Sequence, residues 1–152
     1  MEAKEYLEQP LRLEQTIRSR KTEMDELRME LENGVSSVGF EQHYSSNPNT
    51  HSPHEYAILR ITELEDQISD YRKEQVLLMS EVGHSIDLLS DVKEQQVLRY
   101  RYLNFLSVEQ IARKMNYSPR WVKKLHSRAL ESFERGHPEF TLCSLSIPET
   151  LC

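Results

Sequence analysis

The amino-acid sequence predicts an all-α fold: a long helical hairpin or coiled coil followed by a three-helix helix-turn-helix domain. Two long stretches carry apolar residues at alternating spacings of three and four. Three helix starts are marked by capping residues between Asp91 and Pro119. Only four glycines occur in 152 residues, too few for a glycine-rich β-sandwich or a nucleotide-loop enzyme. That length suits one domain, or a small domain with an appendage.

Residues 1–33 make the expected N-terminal helix. Leu13, Ile17, Met24, Leu27 and Leu31 share one stripe, and Arg20 takes the missing stripe position. Pro10 predicts either a start or a kink there. Asn33-Gly34 predicts a stop, because both residues tolerate a left-handed cap. Residues 34–54 hold one charge, two prolines and two glycines, with no usable period. They read as a flexible linker.

Residues 55–90 predict a long coiled-coil helix. Ile61, Leu64, Ile68, Tyr71, Leu78, Val82, Ile86 and Leu89 keep the alternation, and Gln75 interrupts it. A narrow stripe over about 54 Å of helix is a seam rather than one wall of a globular core. The first helix folded back, a second copy of the chain, or both would cover it. Gln75 is either a tolerated flaw or a register-setting polar position. Gly83 weakens the helix by roughly 1 kcal/mol relative to Ala.

Residues 91–135 change character. Asp91 caps a helix over 92–103, with Glu94 as its capping-box partner. Ser107 caps 108–115, with Gln110 at the same offset. Ser118 caps 119–134, with Pro119 at the first helical position, and Gly136 and Pro138 end it. Val108, Ile111, Ala112 and Met115 face Val122, Leu125, Ala129 and Phe133 across the turn Asn116-Tyr117-Ser118. Val97, Leu98, Tyr102 and Leu103 close a three-helix core. A short helix, a tight turn and a longer helix form the helix-turn-helix pattern. The core is small enough that the long helix is expected to help stabilise it. The tail, 136–152, is expected to be loose. It contains both cysteines, Cys143 and Cys152, which read as reduced thiols rather than a disulfide framework.

Charge separates the same regions. The whole chain carries a formal charge of −6, yet residues 92–135 hold ten Lys/Arg against four Asp/Glu. A basic module on an acidic scaffold is implied. Arg120, Lys123, Lys124, Ser127 and Arg128 share the outward face of the 119–134 helix. A helix in the DNA major groove needs such a face, with long donors reaching base edges and phosphates from one side. Arg120, Lys123, Lys124 and Ser127 are therefore the candidate base readers. Arg113, Lys114, Ser118 and Arg128 are the candidate phosphate contacts. Trp121 is expected to pack on Tyr117 or Leu125, or else to touch the DNA backbone or a thymine methyl. His126 reads as a partly buried packing residue beside the core.

No catalytic constellation emerges, and no cofactor or metal is expected. His43, His51 and His54 lie in the linker, where a metal site would lack a rigid frame. There is no Cys-x-x-Cys pair, phosphate loop or nucleophile elbow. No apolar run exceeds four residues, and the N-terminus Met1-Glu2-Ala3-Lys4-Glu5 is not a signal peptide. A cytoplasmic protein without membrane contact is expected.

The stretch LRYRYLNFLSVEQIARKMNYSPRWVKKLHSRALESF, 98–133, resembles the promoter-reading helix-turn-helix (region four) of bacterial sigma factors. Lys4-Glu5-Tyr6-Leu7, RYLN at 101–104, Ile111-Ala112, Tyr117-Ser118, Leu125-His126 and Arg128-Ala129-Leu130 also resemble the ArpU/RinA type of small phage regulator. That resemblance implies transcriptional regulators of phages and prophages, with double-stranded DNA as partner. The long helices are expected to form a homodimer. The rival reading is a protein-interaction module that docks on RNA polymerase or a sigma factor, with DNA contact secondary.

Overall fold

The computed structural model describes residues 2–37 and 52–138. Five α-helices follow in order: α1 Ala3–Ser37, α2 Pro53–Asp87, α3 Val92–Leu98, α4 Val108–Met115 and α5 Pro119–Gly136. A π-helical stretch, Arg99–Leu103, continues α3. Among the described residues there is no strand, and no helix is long and apolar enough to cross a membrane. The chain divides into two units, one of residues 14–74 and one that joins residues 1–13 to those from 75 onward.

Several element ends differ from expectation. Helix α1 runs through Asn33-Gly34 to Ser37, and no described glycine has a positive φ. Tolerance of a left-handed cap permits a stop without requiring one. Pro10 lies inside α1 and is buried. Helix α2 begins at Pro53, so part of the expected linker is helical at each end. Its start has a reciprocal cap: Glu55 N–H donates to Ser52 Oγ at 3.2 Å, and Ser52 N–H donates to a Glu55 carboxylate oxygen at 3.1 Å. The rest of the expected linker, with His43 and His51, and the tail, with Cys143 and Cys152, lie outside the described residues.

In the 14–74 unit, α1 and α2 form an antiparallel hairpin. Ile17, Met24, Ala57 and Leu64 are its buried apolar residues. Ion pairs join the helices at Glu14–Arg72 (2.8 Å), Glu23–Arg60 (2.8 Å) and Arg28–Glu65 (2.6 Å). The long helices therefore cover each other's seam within one chain. Arg20 and Gln67 face this seam with buried polar atoms, Nε and Oε1, that have no hydrogen-bond partner.

The other unit has one apolar core. Val97, Leu98, Tyr102, Ile111, Ala112, Val122, Leu125, Ala129 and Phe133 are buried in it, all at expected core positions. Ala3 and Leu7 from the first turns of α1 join them, as do Val82, Ile86 and Leu89 from the end of α2. Tyr6 stacks on Phe133 at 6.3 Å, and its hydroxyl lies 3.2 Å from Ser85 Oγ. The expected single helix over 92–103 widens after Leu98. Asn104 N–H reaches Arg99 O and Leu106 N–H reaches Tyr100 O, so the turn holds more residues than an α-helical one. Tyr102 then points inward, 2% exposed, while Arg99 reaches Asp87 at the end of α2.

Candidate nucleic-acid interface

Local chemistry positions α4 and α5. Ser107 Oγ accepts from Gln110 N–H, and the Gln110 side chain accepts from Ser107 N–H, completing a capping box. Asn116 ends α4 in the left-handed conformation, φ 56°, which allows a turn of three residues. Ser118 Oγ then accepts from Trp121 N–H at 3.2 Å and starts α5. Val122, Leu125, Ala129 and Phe133 bury one side of α5, which fixes what the other side presents.

That other side carries the candidate base readers. Arg120, Lys123, Lys124 and Ser127 are all exposed along the first half of α5. Ser127 Oγ donates to Lys123 O at 3.1 Å, so its hydroxyl is partly committed to its own helix. Lys124 Nζ lies 5.8 Å from the centre of the Trp121 ring. Among the described residues no carboxylate pairs with Arg120, Lys123 or Lys124. The first turn of α5 contains no acid, so the helix dipole and the side chains present one sign of charge.

The candidate phosphate contacts are less alike. Arg113 and Lys114 are exposed in the last turn of α4, and Lys114 Nζ lies 5.5 Å over Tyr100. The Ser118 hydroxyl serves as the α5 cap. Arg128 is engaged across the fold: Nε donates to Glu94 Oε1 at 2.8 Å and Nη2 to Asp91 Oδ2 at 3.2 Å. Glu94 is buried, and its carboxylate meets Arg128 where a capping-box bond to Asp91 was expected. Asp91 both caps α3, through Oδ1, and holds Arg128, through Oδ2. Arg128 thus braces α5 against α3, with only its remaining N–H donors left for another partner.

A cleft of about 270 Å³ runs beside α5, lined by Lys4, Glu8, Arg101, Lys123 and His126 among others. At its wall the Tyr102 hydroxyl lies 2.9 Å from His126 Nε2. Burial pushes the Tyr102 phenol up to about 12. Burial, then Arg101 and Lys4, push the His126 imidazole below its ordinary value. Both shifts favour the neutral forms, and one hydrogen bond joins the two side chains. Trp121 is 43% exposed, and it packs on Tyr117, one of the two partners expected for it. It meets Tyr117 edge-on at 6.3 Å and stays outside the core. Among the described residues no cluster of His, Cys, Asp and Glu is arranged to hold a metal ion.

Residues 91–132 match the family model of Sigma-70, region 4. The match begins at the α3 cap and ends within α5, taking in every element that shapes the cationic face. This module is therefore a sigma-factor region-4-like, DNA-binding helix-turn-helix. No curated protein and no solved structure matches the chain.

Proposed function

We propose that this protein is a sequence-specific transcriptional regulator that inserts α5 into the DNA major groove. The observation that carries the reading is the unpaired cationic face of Arg120, Lys123 and Lys124, set on a helix whose opposite side is locked in the core. In this reading Arg120, Lys123, Lys124 and Ser127 read base edges, and Arg113, Lys114, Ser118 and the spare donors of Arg128 hold phosphates. The resemblance at Lys4–Leu7 and 98–133 supports a cytoplasmic regulator of the ArpU/RinA type, from a phage or prophage. A homodimer through the long helices would set the spacing of half-sites. Since α1 and α2 already pair in one chain, a second copy would use their outer faces.

The second reading, docking on RNA polymerase or a sigma factor, has its own support. Val76, Leu77, Leu88 and Val92 are exposed apolar residues. Salt dependence separates the two. Four to six phosphate contacts give a slope of log K against log salt of roughly −4 to −5. Titration of the whole chain with duplex DNA between about 50 and 200 mM salt tests this. A flat response, unchanged in Lys123→Ala/Lys124→Ala, would leave the protein-docking reading in its place.

A further inference from the structure

Trp121 is the chain's single tryptophan, and it stands in the first turn of α5 between Arg120 and Val122. The large apolar residues on either side of the helix-turn-helix turn inward; Trp121 does not. It lines a shallow groove with Lys124, Leu125, Ser127, Arg128 and Glu131. Tyr117 meets the ring edge-on, and Lys124 Nζ lies over its face. The ring is thus held in place before any partner arrives, which lowers the entropy lost on binding.

The indole offers one N–H donor and no acceptor, so most of what it presents is an apolar face. In the first turn of a recognition helix it stands where base edges are read. The apolar feature of the major-groove edge is the C5-methyl group of thymine. We propose that Trp121 is a specificity-determining residue that reads a thymine methyl, on a base pair next to the one reached by Lys124. This rests on the reading that α5 enters the major groove, and it adds a residue outside the four base readers named above.

The test uses the whole chain and the duplex motif that it enriches from a random library. Each thymine is replaced in turn by deoxyuridine, which lacks only the methyl group. Binding is measured for the wild type, Trp121→Phe and Trp121→Ala. One replacement should weaken wild-type binding about three- to tenfold, the scale of one buried methyl contact. The same replacement should have no effect on Trp121→Ala and a reduced effect on Trp121→Phe, which keeps an aromatic ring should the Ala variant fold poorly. Deoxyuridine tolerated at every position by the wild type would overturn the proposal, as would equal sensitivity in all three proteins. In either case, binding that Lys123→Ala/Lys124→Ala abolishes would leave the major-groove reading standing. Failure to enrich any motif would overturn both.

Discussion

The two units of this chain draw on the same two long helices and hold them by different means. In the helix-turn-helix unit, fourteen buried apolar residues form one cluster. In the 14–74 hairpin four apolar residues are buried among those described, and Met29, Tyr56, Ile58 and Leu59 stay exposed. The hairpin also carries surface ion pairs such as Arg28–Glu65, whose side chains are 46% and 52% exposed. Such pairs contribute little and are screened by salt. The cationic face of α5 stands on the unit with the apolar core.

Phe133→Ala should have the largest effect. Phe133 is fully buried between Tyr6 and His137, so its loss should cost about 3–5 kcal/mol and remove DNA binding. Met24→Ala in the hairpin should cost about 2 kcal/mol and leave DNA binding intact. Thermal melts with a DNA titration check both, and equal losses would break the contrast between the units.

Ion pairs sharpen it next. Glu94→Gln weakens a hydrogen bond between a buried carboxylate and Arg128 and should cost about 1–3 kcal/mol. Arg28→Ala should cost less than about 1 kcal/mol, and less still in high salt. Denaturant midpoints at low and high salt measure the difference.

Acid should act on the helix-turn-helix unit through His126. Its folded-state value lies below the ordinary 6.5, chiefly because of burial. As pH falls through 6.5 the unfolded chain takes up a proton that the folded chain resists. Stability is therefore intact above that pH and falls below it. Melting temperatures between pH 7.5 and 5 should show this loss, and His126→Gln should flatten it. A slope unchanged in the variant would assign the effect to other groups. One substitution should bring a gain: Gly83→Ala should stabilise α2 by roughly 1 kcal/mol, because the added Cβ meets Leu103 at an ordinary 3.5 Å.

Local signals in the sequence carried most of the helix-turn-helix. Asp91, Ser107 and Ser118 cap where capping chemistry places them, and the two apolar faces of α4 and α5 are those that periodicity selects. Long-range features were not legible. Ala3 and Leu7 show no local reason to join a core built from residues beyond 80. The π-turn at 99–103 adds a residue to one turn, which a 3.6-residue period cannot register. Helical spacing groups Arg128 with Lys123 and Lys124, but its partners Asp91 and Glu94 stand 37 and 34 residues away. The Ser52–Glu55 cap did have a local signature, hidden in a stretch whose composition read as linker. Exposure of Trp121 depends on how α4 meets α5, and spacing alone left it open.

The central claim is that the face of α5 reads DNA sequence. Selection from a random duplex library at near-physiological salt, with wild type and Lys123→Ala/Lys124→Ala side by side, tests it most directly. The account predicts a defined motif for the wild type, lost or altered in the variant, and an inverted repeat if the chain dimerises. No enrichment, or the same motif from both proteins, would contradict it.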